Sequence, residues 1–264
     1  METSSPIGFF DSGVGGLTIW KEVYQLLPFE DTIYIADSAN APYGEKTQQE
    51  IIHLSKKNTG FLIQQGVKLI VVACNTATTM AISTLRKEFD IPFIGIEPAF
   101  KPAALKSKAK KVGVLATKGT LNSTLFNETY RRFGRDIDTT IRVGKGLVEL
   151  IENGKKDTLE MRELISEYIT PMVEHGVDHI VLGCTHYPFL RDLIQEITPN
   201  HVEIIDSGEA VARQTLKTLN SRHILNNTKQ PSQHQFYTNG KMDVLEKLLL
   251  DCEGENYSIN TYKP

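Results

Sequence analysis

A chain of 264 residues is long enough for one large α/β domain or two of about 100–150 residues, and it needs no disulfides to build a core. With 40% hydrophobic and 23% charged residues, and a net charge of −3 without long runs of one sign, it lacks the electrostatic signature of a nucleic-acid or membrane-surface binder. The start, Met1-Glu2-Thr3-Ser4-Ser5-Pro6, has no signal-peptide character, no apolar run reaches the roughly 18 residues of a membrane span, and the odd count of three cysteines suits a reducing compartment; a cytoplasmic location is expected.

In chain order, short β-rich runs alternate with amphipathic stretches. Residues 7–10 read as a strand, and the glycine-rich turn Asp11-Ser12-Gly13-Val14-Gly15-Gly16 leads into a helix over 17–27. Strands follow at 32–36, 69–73 and 92–96, with helices over 47–65 and from Cys74 to about 89. The pattern restarts with a strand at 111–116, a helix over 121–133, a strand at 138–143, helices over 146–153 and 158–175, a strand at 179–183, a helix near 188–196 and a strand at 202–205. A helix over 209–220, a polar loop over 221–234, a strand at 235–238 and a helix over 241–250 complete the chain. Such alternation predicts two similar doubly wound α/β units with mainly parallel sheets, related by a pseudo-two-fold, and a site in the cleft between them. Residues 1–98 with 209–264 are expected to form the first domain and 99–208 the second, the return of the tail resting partly on the resemblance given below.

The two rounds are a sequence repeat. Gly66, Val67, Ile70, Val71 and Cys74 recur 110 residues later as Gly176, Val177, Ile180, Val181 and Cys184. Each round closes on an acid, Glu97 lying 23 residues after Cys74 and Asp206 22 after Cys184. Ligands of open parallel sheets bind at the carboxyl ends of the strands, where Asp11, Asp37, Cys74, Glu97, Thr117, Cys184 and Asp206 are all expected.

A single buried cysteine is as readily a small apolar residue as a nucleophile. Apolar packing does not explain the recurrence of the thiol with polar residues after it, Asn75-Thr76 in one round and Thr185-His186 in the other. A thiol where a strand gives way to a helix lies near unpaired backbone N–H groups, which favour thiolate and bind carboxylates. His186 adds a group that holds or passes a proton near neutral pH. Cys252 has no such setting and reads as structural or incidental. Zinc spacings such as C-x-x-C are absent, so no metal is expected. The 11–16 loop is a partial dinucleotide fingerprint that fails at its third glycine, where Thr18 stands; it is a tight turn whose backbone approaches something closely, with a small anion as one possibility.

Six segments together carry a resemblance: Phe10-Asp11-Ser12-Gly13-Val14-Gly15-Gly16, Ala41-Pro42-Tyr43-Gly44, Ala73-Cys74-Asn75-Thr76-Ala77, Gly95-Ile96-Glu97-Pro98-Ala99, Leu147-Val148-Glu149-Leu150-Ile151-Glu152-Asn153-Gly154 and Gly183-Cys184-Thr185-His186-Tyr187-Pro188. In this order the chain resembles the glutamate racemases of the cofactor-independent aspartate/glutamate racemase superfamily. The resemblance implies Cys74 and Cys184 as catalytic acid and base, assisted by Asp11, His186 and Glu152, and no cofactor. It implies substrate contacts from Asp11, Ser12, Tyr43, Gly44, Asn75, Thr76, Thr185 and His186, with Asp37 a further acid of the pocket. By the same resemblance, Cys184 as thiolate removes the α-proton of L-glutamate, Cys74 as thiol donates from the other face, and the D-glutamate formed supplies peptidoglycan. Standing alone, Glu152 reads as a solvated helix-end carboxylate, Asp11 as a turn or cap and Tyr43 as a loop anchor.

Near-attack distances of about 3–3.5 Å from each sulfur to one carbon place the two sulfurs roughly 7 Å apart in a closed complex. Glutamate is the expected partner, with no nucleic acid and no membrane, and a homodimer is expected. The rival activities are aspartate racemase or another isomerase or decarboxylase of the superfamily, an NAD-dependent oxidoreductase, and an amino-acid-binding module without turnover.

Overall fold

The computed structural model describes residues 2–228, 230–250 and 256–263, so Cys252 lies outside the described residues. In chain order the first run is β1 (Ile7–Asp11), α1 (Leu17–Leu26), β2 (Thr32–Ala36), α2 (Gln48–Gln64), β3 (Leu69–Val72), α3 (Asn75–Glu88) and β4 (Phe93–Gly95). The second is α4 (Phe100–Lys106), β5 (Lys111–Ala116), α5 (Lys118–Leu121), α6 (Thr124–Phe133), β6 (Asp138–Val143), α7 (Leu147–Glu152), α8 (Leu159–Glu174), β7 (His179–Gly183), α9 (Arg191–Ile197) and β8 (Glu203–Ile205). The tail is α10 (Gly208–Ser221), β9 (His234–Thr238), α11 (Met242–Leu250) and β10 (Tyr257–Thr261).

These strands form two open sheets, ordered β10-β9-β2-β1-β3-β4 and β6-β5-β7-β8. Every strand pair in both is parallel. The four-strand order 2-1-3-4 of the first sheet recurs as 6-5-7-8 in the second. The connections leaving β1 and β3 diverge, as do those leaving β5 and β7. Each sheet therefore opens a crevice at the carboxyl ends of its two central strands.

Sequence pattern explains the layering. β1 is apolar on both faces: Ile7 and Phe9 join one core cluster and Phe10 another. β3 does the same, with Leu69 and Val71 on one side and Ile70 and Val72 on the other. The first cluster is continuous across both sheets, joining Leu17, Trp20 and Val23 of α1 to Leu147 and Ile151 of α7 and Leu182 of β7. A capping box between Thr47 and Glu50 starts α2. The repeated glycines end matching helices: Gly66 (φ +76) follows α2 and Gly176 (φ +79) follows α8, and only glycine takes this left-handed position without cost.

Four segments differ from the sequence expectation. Residues 100–106 form α4, where no element was predicted. The helix predicted over 121–133 is two, because Ser123 caps a new start at Thr124 by accepting from the Phe126 N–H. Residues 187–190 form a 3₁₀ turn before α9, with Pro188 near its start. β10 was not predicted; its sequence, Tyr-Ser-Ile-Asn-Thr, lacks the apolar run of the central strands because it is the sheet edge.

His234 on β9 is buried against Trp20 and Tyr24. Burial depresses its pKa to about 4, with Asp31 opposing. The neutral ring is bonded at both nitrogens, to Thr32 Oγ1 (2.8 Å) and Ser232 Oγ (3.0 Å). A histidine with a depressed folded pKa binds its proton more readily when unfolded, so stability falls as pH drops from 6.5 towards 4. The expected loss is about 3 kcal/mol, and His234→Asn flattens this acid limb of a urea-unfolding pH series.

Candidate active site

Cys74 follows β3 and Cys184 follows β7, and both line one cavity between the two sheets. It is narrow, and is walled by Ser12, Pro42, Tyr43, Gly44, Asn75, Thr76, Thr117, Val148, Thr185 and His186 besides the two thiols. A wider outer cavity shares Pro42, Gly44, Thr117 and Val148 with it. Of the predicted site residues, Ser12, Tyr43, Gly44, Asn75, Thr76, Thr185 and His186 reach the inner cavity with the cysteines. Asp11, Glu152 and Asp37 do not line it. Asp11 and Glu152 stand directly behind lining residues. Asp37, expected as an acid of the pocket, gives one oxygen to the Tyr43 hydroxyl (2.5 Å) and the other to Asn40 and Asn239.

The two thiols have unlike neighbours. Cys74 is the N-cap of α3, its Sγ accepting from the Ala77 N–H (3.4 Å). Its thiol donates to Ser12 Oγ (3.7 Å), and Ser12 Oγ donates to Asp11 Oδ1 (3.3 Å). Burial and the Asp11 carboxylate raise the Cys74 pKa well above 9.0, outweighing the Ala77 N–H. The expectation that the helix start favours thiolate is thus overturned at Cys74, whose resting form is the thiol. Asp11 is itself raised from 3.8, chiefly by burial, and is anchored by the Gly16 N–H (2.7 Å).

Cys184 lies 3.8 Å from His186 Nδ1, and His186 Nε2 lies 2.6 Å from Glu152 Oε1. Burial alone lowers a histidine pKa, but the hydrogen bonds and charges of Cys184 and Glu152 reverse this and raise His186 well above 6.5. The imidazolium is therefore the stable form at neutral pH. Asn75 Nδ2 is buried and has no hydrogen-bond partner among the described residues. A buried, unpartnered donor on a residue that lines the cavity suits an anionic group such as a carboxylate. Among the described residues no cluster of three or more His, Cys, Asp or Glu has metal-site geometry.

A model of the Asp/Glu/Hydantoin racemase family matches residues 20–215. The chain belongs to this family. Its members are racemases, a class of isomerase. A glutamate racemase of Herpetosiphon aurantiacus is 45% identical over 235 residues, 89% of this chain and 92% of that one. A glutamate racemase isoform of Bacillus anthracis superposes with a TM-score of 0.86 at 30% identity, covering 99% of this chain and 98% of that one. The Escherichia coli glutamate racemase, solved with L-glutamate and the activator UDP-MurNAc-ala, gives 0.85 at 31% identity, with 97% and 98% covered.

For this member of the racemase family, the 11–16 loop has a use other than binding an external anion. A Cβ on Gly13 falls 1.8 Å from Glu152 Oε1, and one on Gly15 falls 2.2 Å from His186 Nδ1. What the loop backbone approaches is thus the Glu152–His186 pair, held further by the Val14 N–H donating to Glu152 Oε1 (2.7 Å). Glu152 is accordingly a docked carboxylate rather than a solvated helix end, its side chain only 10% exposed. The acids that close the two repeats do not enter the cavity: Glu97 is exposed, and Asp206 pairs with Arg191. Pro42 and Val148 were not singled out as site residues, although both lie inside resemblance segments, whereas Thr117, expected at a strand end, follows β5 and lines the cavity.

Gly15→Ala displaces the His186 ring without touching either thiol. We expect racemase activity to fall about 100-fold or more with an unchanged far-UV circular dichroism spectrum. Glu152→Gln removes a charge that holds the proton on His186, so the imidazolium is lost at lower pH. The alkaline limb of kcat/KM then moves to lower pH, which a pH–rate profile measures.

Proposed function

We propose that the chain racemises glutamate by a two-thiol mechanism in this cavity. The observation that carries the proposal is the setting of the two cysteines on one cavity: one sulfur sits beside the Asp11 carboxylate, the other 3.8 Å from His186 Nδ1. Two thiols on one cavity are what a proton relay across a carbon requires. Starting from L-glutamate, the Cα–H bond breaks, its electron pair stays on the carbon and delocalises into the carboxylate, and an S–H bond forms at Cys184. The Cys74 S–H bond then breaks, and its proton arrives on the opposite face to give D-glutamate. The return reaction exchanges the roles. The assignment of each cysteine to one enantiomer follows the family resemblance.

A placed acid or base supplies about 10²–10⁴ in rate, so the weak carbon acid needs more. Asn75 Nδ2 and the hydroxyls of Ser12, Thr76 and Thr185 are the donors proposed to hold the carboxylate as it gains enolate character. Thr18 Oγ1 donates to the Thr185 carbonyl (2.9 Å), and Thr76 Oγ1 lies 3.0 Å from Thr117 Oγ1. These bonds join residues of the two repeats around the cavity. We infer that they part for substrate entry, the two moving bodies being 1–98 with 209–264 and 99–208. Residence of β9 and β10 in the first sheet supports that division. D-Glutamate made in the cytoplasm would feed peptidoglycan, which is the role proposed. No helix among the described residues is long and apolar enough to cross a membrane.

The test is L-glutamate in D₂O with reduced, metal-free, cofactor-free protein, read by circular dichroism and proton NMR. Optical rotation is expected to decay to zero with deuterium entering the D-product first. L-Aspartate assayed in parallel turns over much more slowly. Cys74→Ser and Cys184→Ser each lower racemisation about 100-fold or more. Glutamate that keeps both its handedness and its α-hydrogen overturns the proposal.

A further inference from the structure

Tyr43 walls the cavity, yet its hydroxyl proton is not available to a ligand. It is donated to Asp37 Oδ2 at 2.5 Å, and the ring is 1% exposed. Behind it runs a one-way chain of buried hydrogen bonds. Tyr262 donates to Asn58 Oδ1 (2.8 Å), Asn58 Nδ2 donates to the Tyr43 hydroxyl (3.3 Å), and Tyr43 donates to Asp37. The other Asp37 oxygen accepts from Asn239 Nδ2 (2.6 Å) and Asn40 Nδ2 (2.8 Å). Tyr262 is 2% exposed and Asn58 1%. Two of these residues, Asn239 and Tyr262, come from the tail, more than 190 residues after Tyr43.

We propose that Tyr262 and Asn58 are positioning residues for the substrate, acting through Tyr43. Each donor in the chain has one acceptor, and the chain ends on a carboxylate, so the hydrogen bonds share one direction and reinforce one another. They fix the Tyr43 ring and with it the Pro42–Gly44 lip that the inner and outer cavities share. Tyr262 adds rigidity through its own packing: its ring meets Phe61 edge-on at 5.1 Å, and its N–H donates to the Thr238 carbonyl (2.7 Å). Asp37 thus serves the pocket from behind, as the acceptor that orients Tyr43. The arrangement makes the fit of the lip depend on the last strand being in place.

This inference rests on glutamate being the ligand of the cavity. Tyr262→Phe keeps the ring and removes the first donor. It is expected to raise KM for both enantiomers, and the calorimetric Kd for L-glutamate, roughly three- to tenfold, with kcat within about twofold. Tyr43→Phe is expected to raise KM and Kd likewise. The double variant Tyr43→Phe/Tyr262→Phe should be no worse than the poorer single variant, since both act on one chain. A purely structural role predicts a lower melting temperature without the shift in KM. An unchanged KM in folded Tyr262→Phe, or additive losses in the double variant, overturns the proposal. If Tyr262→Phe does not fold, Asn239→Ala removes a donor to Asp37 from a half-buried position, and an unchanged KM and Kd there overturn it equally. A wild-type protein that binds L-glutamate without racemising it counts against the two-thiol reaction alone, because the Kd comparison still decides this point.

Discussion

The organisation of the site depends on a buried imidazolium held between a thiol and a carboxylate. A charged His186 with 1% exposure is tenable only because Glu152 and Cys184 stand at its two nitrogens. Glu152 ends α7 beside the second sheet, while the loop that receives it follows β1 of the first. The pair therefore sets the charge beside one sulfur and also ties the two halves of the molecule together. Its seat explains the glycines at 13 and 15, whose places no larger residue can occupy without moving a carboxylate or an imidazole. The glycine-rich turn is in this sense a socket for the molecule's own ion pair.

A repeat with the same strand order in both sheets puts two chemically identical side chains in equivalent places. Equivalence ends at the neighbours. Cys74 caps a full α-helix and faces Asp11, whereas Cys184 is followed by a 3₁₀ turn and faces His186. Burial acts on both, but the nearest charge is negative in one case and positive in the other. The difference between the two sides of the cavity therefore lies in their environment rather than in the thiols.

The tail adds a second layer of control. β9 and β10 extend the first sheet beyond β2, and the residues that follow each of them reach Asp37 and Asn58. The lip residue Tyr43 is thereby fixed by side chains from three separated parts of the chain. A pocket wall held by such a network resists small displacements of the surface the substrate binds against.

Much of this was legible in the sequence because it is local. Alternation of apolar runs with helical stretches revealed the parallel α/β class, and the 110-residue recurrence around Cys74 and Cys184 marked the thiols as a pair. Polar residues directly after each cysteine pointed to a site at the strand ends, and the six motif segments pointed to the racemase family. What stayed hidden depends on contacts between distant segments. The helix-start argument gave Cys74 a favoured thiolate, but burial and Asp11 reversed it. Glu152 alone looked like a solvated helix end, and its docking against Val14 required the two halves of the chain to meet. β10 lacked an apolar run because edge strands do not need one, and with it Tyr262 went unseen. Periodicity and motif spacing thus determined the elements and the cast of reactive groups; tertiary packing decided the protonation and anchoring of each, because a pKa and a hydrogen-bond partner are set by neighbours in space.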